Sequence, residues 1–465
     1  MRVSNNIVLN DNEERLRATL SDAAEQISNT SQKDVQIRFA GGWVRDKLLN
    51  LPSDDIDVAI NCMTGVEFAI ELSKHLSDTQ QNNMSRIAKV EINPEKSKHL
   101  ETARAKVLGY TLDFVNLRSE DYAADSRVPK MQFGTPLQDA MRRDCTVNAL
   151  FYNAREKVVE DYTQMGIKDL NDGIIRTPLP AFKTFTDDPL RVLRVIRFAS
   201  RFGFNITPDI QEAVKIPSIK KAVTRKVSKE RIGIEVDKML RKSPRVALEL
   251  IIALDLHNTI FHKPENVEIE GEILPPQIVM AASNAFEWLE KNSYETFSHI
   301  SKNERYQRAM WLQIALLPLT YAEATTKKGP KLIKSSLAAA VCQKSLKFPN
   351  SDYDFTNKCI ASREAIEKIL VVSPVSRKDL GLFVRQIGPD WSVIIMAKWI
   401  ADLAPIFMNS QGEHKTVDEI CTLYERLFTL INHNNLSRAF EIKPLLTVMK
   451  TAILLQYFPL NIFLT

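Results

Sequence analysis

The chain has 465 residues, enough for roughly two to four domains, and its 44% apolar and 26% charged residues place it among folded globular proteins rather than disordered or fibrous ones. Its 62 basic and 57 acidic residues leave a net charge of only +5, so overall charge selects no partner. The five cysteines, Cys62, Cys145, Cys342, Cys359 and Cys421, include no C-x-x-C pair, which argues against zinc ribbons and disulfide frameworks and fits a reducing compartment.

The opening residues, MRVSNNIVLNDNEERLR, lack an apolar signal core and carry acids unlike a transit peptide; a presequence would require an earlier start. No unbroken apolar run reaches about 18 residues, so no membrane span is expected. Residues 1–30 read as an N-terminal helical segment. Strand-like runs at 35–40, 56–60, 111–117 and 149–153 then mix with helical segments, the pattern of one α/β unit. Past Ile175 the helical period dominates, as in PLRVLRVIRFASRF and RIGIEVDKMLRKSPRVALELIIALDL. The stretches TTKKGPKLIKSS (325–336) and VVSPVSRKDLG (371–381) read as joints between helical blocks.

The segment FAGGWVRDKLLNLPSDDIDVAI raises the first chemical question. Gly41 and Gly42 let the backbone approach a ligand closely, the following helix offers N–H groups to an anion, and Arg45 adds a forked cation. Alternation along a strand puts Asp55 and Asp57 on one face, where two like charges call for a cation; Asp54 belongs to the turn. Hard divalent ions such as Mg²⁺ take carboxylate oxygens and keep positions for phosphate and water. A tight turn followed by a solvated acidic edge is the alternative. The phosphate-cradle reading points to metal-assisted phosphoryl or nucleotidyl transfer.

GGWVRDKLL followed by DDIDVAI resembles the signature of the nucleotidyltransferases related to DNA polymerase β, and more narrowly the class II CCA-adding enzymes and bacterial poly(A) polymerases. The segment NPEKSKHLETARAKVLGYTLDFVNLRSEDY is similar to the eukaryotic, fungal-type CCA-adding branch. FGTPLQDAMRRDCTVNALFYN resembles a second family motif; on a helix Asp144 and Asn148 would share a face and Asp139 would pair with Arg143. The resemblance gives Arg143 a contact with the nucleotide and Asp144 the ribose hydroxyls. DYTQMGIKDLNDGIIRTP resembles a hinge between head and neck, VSKERIGIEVDKML a helix that braces its neighbour, and the polar stretch at 118–136 a flexible loop used in switching from C to A. Asp113 is a candidate third carboxylate, with an ion pair to Arg118 as the alternative.

DDPLRVLRVIRF reads first as a helix start, with Asp188 as N-cap and Pro189 at the first turn. Arginines then recur at 191, 194 and 197. An aspartate only accepts and an arginine only donates. Cytosine and adenine both present an exocyclic N–H donor beside a ring-nitrogen acceptor, whereas uracil and guanine present a carbonyl beside a ring N–H. Asp188 with Arg191 therefore suits C and A and mismatches U and G, so side chains can stand in for a template. The family motif usually begins Glu-Asp; here it begins Asp187-Asp188, which shortens the reach of the first acid. The resemblance assigns Arg194 and Arg197 to the incoming nucleotide.

Residues 215–245 are strongly basic, and beside such a site they suit RNA phosphates; Lys220, Lys221, Arg225, Lys226 and Lys229 are the candidates. The resemblance is strong over about residues 30–240 and architectural beyond. It implies an α/β head of polymerase β type with a mixed sheet (31–172), then an extended all-α neck (173–265), body (266–375) and tRNA-binding tail (376–465). The implied activity is addition of CCA to tRNA from CTP and ATP, with Asp55 and Asp57 as Mg²⁺ ligands and catalytic residues. Gly41, Gly42, Arg45, Arg143, Asp144, Asp188, Arg191, Arg194 and Arg197 would bind the nucleotide. No membrane or obligate protein partner is called for, and the expected compartments are cytoplasm and nucleus, with a mitochondrial form from an alternative start. A poly(A) polymerase of the same family and a noncatalytic RNA-binding protein are the alternatives.

Overall fold

The structure, a computed structural model, describes residues 6–53, 55–78, 84–85, 87–90, 102–121, 130–292, 300, 302–328, 331–408 and 414–441; Asp54, the middle of the expected flexible loop (122–129) and part of the HLETA segment lie outside them. Two compact units divide between Ile260 and Phe261.

In the first unit, helix α1 (Asp11–Ser31) starts at a capping box in which Asn10 and Glu13 satisfy each other's backbone N–H groups. Its buried Leu16, Leu20, Ala23 and Ile27 form one apolar stripe. There follow β1 (Ile37–Ala40), α2 (Gly42–Leu48), β2 (Asp55–Ile60), α3 (Gly65–Asp78), β3 (Ala88–Val90), β4 (Thr102–Val107), β5 (Tyr110–Asn116), β6 (Arg118–Asp121), β7 (Lys130–Phe133), α4 (Pro136–Met141), β8 (Phe151–Asn153) and β9 (Val158–Glu160). Seven of these strands make one mixed sheet in the order β3-β4-β5-β2-β1-β8-β9. The β2–β5 pair is parallel and its neighbours are antiparallel, while β6 and β7 form a separate hairpin. The strands expected at 35–40, 56–60, 111–117 and 149–153 are present as β1, β2, β5 and β8; β4, whose TARAKV alternates polar and apolar residues, was missed, and β3 and β9 are only three residues long.

The rest of the unit is mainly helical: α5 (Gly166–Asp172), a two-residue parallel pair β10 (Ile174–Ile175) and β11 (Asn205–Ile206), and the helices α6 (Ala181–Asp187), α7 (Leu190–Phe202), α8 (Pro208–Lys215), α9 (Pro217–Lys226), α10 (Lys229–Lys242) and α11 (Pro244–Ala253). Helix α7 buries Val192, Leu193, Val195, Ile196 and Ala199 and packs on α10 and α11. That apolar stripe fixes which way its arginines face.

The second unit is helical with one refinement. Strands β12 (Val267–Gly271), β13 (Ala322–Lys328) and β14 (Lys331–Ser336) form an antiparallel sheet, so the expected joint at 325–336 is mostly strand. Thr325 and Thr326 favour strand, and the Gly-Pro pair reads as a breaker in the sequence although the strands flanking it pair antiparallel up to Lys328 and Lys331. Helix Trp391–Met408 is long and apolar enough to cross a membrane, yet most of it is buried inside this unit against helix Ile278–Lys291. Its Lys398 is neutralised by Asp402 and Glu367, and Tyr424 Oη donates to Asp402 Oδ2 at 2.6 Å. It is a core helix.

Candidate active site

The glycine turn and the aspartates meet at one end of the sheet. Ala40, the last residue of β1, stands opposite Asp57 in the antiparallel β1–β2 register. Gly41 then turns the chain at φ 66°, ψ −121°. An L side chain would be strained at that φ, and its Cβ would lie 2.7 Å from Arg143 Nη1 and push the end of the guanidinium aside. On β2, Asp55 and Asp57 share the open face while Ile56 and Val58 are buried. Asp113 stands beside Asp57 in the parallel β2–β5 register. Burial most of all raises the pKa of Asp57; Arg143 opposes that, and Asp113 and Asp55 reinforce it. Water still reaches the carboxylate through the mouth of the cleft.

Asp113 pairs with Arg104 of β4, whose Nε donates to Oδ1 at 2.7 Å, rather than with Arg118. Arg118 instead donates to Glu120 at 2.9 Å. Among the described residues no three His, Cys, Asp or Glu side chains form a ready metal cage. Two carboxylates on one strand face nevertheless match the donor set of Mg²⁺, which binds through one or two carboxylates together with substrate phosphates.

The second motif is built differently from expectation. After α4 the chain turns, and a single 3₁₀ turn spans Thr146–Asn148, so Asp144 and Asn148 do not share an α-helix. They still meet, with Asn148 Nδ2 donating to Asp144 Oδ1 at 2.9 Å. The expected Asp139–Arg143 pair forms at 2.8 Å. Burial acts to raise the pKa of Asp144, but the charge of Arg194 and hydrogen bonds from Asn148 and Arg194 hold it well below the usual carboxylate range. Arg45 is buried on α2, where it pairs with Asp46 at 2.7 Å, donates to Asn148 Oδ1 and lies over the rings of Phe198 and Phe202.

At the start of α7, Asp188 is extended (φ −137°, ψ 101°) and its Oδ1 accepts the Leu190 N–H at 3.1 Å, which is the capping role read from the sequence. Its Oδ2 faces Arg231 of α10 at 3.6 Å. Arg191 is buried, with Nη1 3.4 Å from the Thr184 carbonyl and Nη2 3.5 Å from Glu120. Arg194 pairs with Asp144 and Arg197 with Glu235, both at 2.5 Å, so Glu235 does brace this helix. Ser228 sits at the start of α10 without a side-chain cap hydrogen bond.

All of this encloses a cleft of about 490 Å³. Gly41, Gly42, Arg45, Asp57, Arg143, Asp144, Asp188, Arg191, Arg194 and Arg197 line it together; Asp55 is on the adjoining strand face and not in the lining. Among the described residues nine arginines face four acids around the space, a balance suited to a polyanion such as a triphosphate. Sequence reasoning missed Glu120, Arg142, Phe198, Arg201 and Arg231, which also line it. The spacing 194, 198, 201 along one helix face carried the signal for Phe198 and Arg201; Glu120 gave none. The candidate RNA-binding residues lie outside the cleft lining, on α9 and at the start of α10. Lys221 and Arg225 are exposed there, Lys226 and Lys229 are half-buried, and Lys220 pairs with Asp255 at 2.5 Å.

Comparison with known proteins follows the same lines. Residues 37–176 match the family model described as the poly A polymerase head domain. The chain is 36% identical to tRNA nucleotidyltransferase cca1 of Schizosaccharomyces pombe, covering 94% of this chain and 87% of that protein. It is also 36% identical to the mitochondrial CCA tRNA nucleotidyltransferase of Saccharomyces cerevisiae, over 94% and 85% of the two chains. The apo form II structure of a CCA-adding enzyme shares the fold, with a TM-score of 0.58 at 17% identity over 96% of each chain. Identity at this level across nearly the whole length, with the head motifs converging on one cleft, shows that the chain belongs to the CCA tRNA nucleotidyltransferase family.

Proposed function

We propose that this protein completes the 3′ end of tRNA, adding C, C and A from CTP and ATP without a nucleic-acid template and releasing pyrophosphate at each step. The observation that carries the reading is that one cleft is lined by a β2 carboxylate, a fan of arginines and the Asp188–Arg191 pair. Asp55 and Asp57 are the residues that would hold Mg²⁺, and Asp113 would have to leave Arg104 to join them. Bound there, the ion would supply charge stabilisation to the triphosphate and a lower pKa to the attacking hydroxyl.

The chain's own groups do the positioning. Arg45, Arg143, Arg194 and Arg197 supply forked donors to the phosphates. Asp144, kept ionised by its arginine, accepts from the ribose hydroxyls and so favours ribonucleotides. Asp188 accepts the exocyclic N–H of C or A while Arg191 donates to the ring nitrogen. With the tRNA 3′-hydroxyl and the α-phosphate held together, the hydroxyl oxygen forms the new bond as pyrophosphate leaves. No protein nucleophile is involved; catalysis rests on orientation and electrostatics. Lys221 and Arg225, with Lys226 and Lys229, would meet tRNA phosphates, Lys220 less so because Asp255 competes for it. The head (31–172), neck (173–265), body (266–375) and tail (376–465) divide the labour in this reading, the tail holding tRNA. The mitochondrial designation of the S. cerevisiae relative supports a mitochondrial form; the nuclear and cytoplasmic forms belong to the proposal alone.

The test is to supply tRNA lacking its terminal CCA, with Mg²⁺ and each NTP alone and together. Incorporation of C, C and A followed by a stop is expected. Long A tails would assign a poly(A) polymerase, and absence of any product would leave a binding protein.

A further inference from the structure

Helix α7 turns an aromatic ladder toward its arginines. The rings of Phe198 and Phe202 lie 6.3 Å apart and within 8° of parallel. Around Phe198, the guanidinium carbon of Arg197 is 4.1 Å from the ring centroid, that of Arg45 5.2 Å and that of Arg194 5.4 Å. Phe202 takes Arg45 at 4.6 Å and Arg201 at 5.0 Å. Four like charges thus converge on two rings, and Phe198 is 4% exposed on the cleft wall.

Acidic partners account for only part of this arrangement. Arg194 and Arg197 each engage their carboxylate through Nε. A carboxylate holds a guanidinium by occupying its N–H donors, which are the groups a phosphate needs. A ring face attracts the cation electrostatically and accepts none of those donors in return. A guanidinium with a carboxylate on its Nε edge and a ring on its face keeps the Nη edge for a ligand, and both arginines line the cleft.

We infer that Phe198, with Phe202 behind it, is a positioning residue for nucleotide binding: its ring face fixes Arg197 and Arg194 where they grip the triphosphate, equally for CTP and ATP. The inference rests on the nucleotidyl-transfer reading of the cleft. It concerns the part common to every NTP, so base choice does not depend on it.

The test keeps the size of the ring nearly constant and changes its charge distribution. In the full chain, Phe198 is replaced by 4-fluoro-, 3,5-difluoro- and 3,4,5-trifluorophenylalanine, since each fluorine withdraws electron density from the ring face. Dissociation constants for CTP and for ATP are measured by calorimetry with Mg²⁺, beside the melting temperature. Log Kd should rise steadily with fluorine number, reaching about three- to tenfold at three fluorines for both nucleotides, while the melting temperature and the discrimination against UTP stay put. Phe198→Tyr should bind nearly as the native chain and Phe198→Leu more weakly than any of the series. A flat fluorine series overturns the inference, because a ring that only packs would not respond. Arg194→Gln is the control for the underlying reading: if it leaves CTP and ATP affinity unchanged, the triphosphate assignment falls, and the role given to Phe198 falls with it. Weakened binding in Arg194→Gln beside a flat series removes the ring alone.

Discussion

Asp139→Asn is the most informative single change outside the nucleotide-contacting groups. The Asp139 side chain is almost wholly buried and accepts from Arg142 Nε at 2.9 Å, from Arg143 Nη2 at 2.8 Å and from the Arg118 backbone N–H at 3.2 Å. It therefore ties the start of β6 to both arginines of the second motif. Burial acts to raise its pKa, but the charges and hydrogen bonds of Arg142 and Arg143 outweigh that and bring it from 3.8 to about 2. Such a drop corresponds to about 2 kcal/mol of folding stability. Because the folded value lies below the unfolded one, the contribution is complete above pH 3.8 and is lost as pH falls through about 2; about half survives at pH 3.

Asparagine keeps the shape and removes the charge, leaving two guanidiniums facing an amide. The first unit of the variant should lose about 2 kcal/mol at pH 7, and the difference from the native chain should shrink toward pH 3. Trp43 is the only tryptophan in the first unit, so 5-fluorotryptophan labelling gives that unit its own ¹⁹F line for urea titration. Arg143, freed from its tether, should also raise KM for both CTP and ATP. A difference that does not vary between pH 7 and pH 3, or one below about 0.5 kcal/mol, would refute the electrostatic account.

Other perturbations separate the parts of the site. Asp57→Ala should cut nucleotide incorporation by at least about 10³-fold while filter binding shows tRNA retention little changed; persistent turnover would remove the carboxylate assignment. Arg191→Ala should reduce discrimination between CTP and UTP by about 10- to 100-fold in single-nucleotide incorporation, and an unchanged ratio would defeat base reading by side chains. Lys221→Ala with Arg225→Ala should weaken tRNA binding and flatten its salt dependence by about two counterions without changing KM for CTP. Lys220→Ala alone should do less, since Asp255 already holds that ammonium; an equal effect would show that the pair opens on binding.

The parts of this site that were legible in the sequence are those set by local rules. Alternation placed Asp55 and Asp57 on one face because side chains in a strand have no other choice. Asp188-Pro189 announced a helix start, and the structure shows the carboxylate doing that job. Local rules also misled. Asp144 and Asn148 were expected to meet through helical spacing; they meet although the chain turns between them, because a buried aspartate needs donors and the asparagine amide is within reach. Asp113 was a candidate third carboxylate with an ion pair to Arg118 as the alternative, and antiparallel pairing instead puts Arg104 opposite it on β4. Glu120 and Arg231 were invisible for the same reason, since each finds its partner across 71 or 43 residues of chain through tertiary packing alone, Glu120 at Arg191 and Arg231 at Asp188.

The layout of α7 also explains how one helix can be both indiscriminate and selective. In the proposed reading its first residues, with Asp188 just before them, address the base, and the turns that follow carry arginines toward the phosphates. Arg191 and Arg201 are ten residues apart, which at 1.5 Å per residue separates the two functions by about 15 Å. Every NTP offers the same phosphates, so binding energy gathered at Arg194, Arg197 and Arg201 cannot distinguish one from another. Discrimination has to arise where the ligands differ, at a donor and an acceptor on the base edge. There the two reading groups are held by charges from outside α7, Asp188 by Arg231 and Arg191 by Glu120, at 3.6 and 3.5 Å. Arg194 and Arg197 are held by carboxylates at 2.5 Å; in the proposed reading, changes at these two should alter affinity for all four nucleotides together, and changes at Asp188 or Arg191 should alter their ratios.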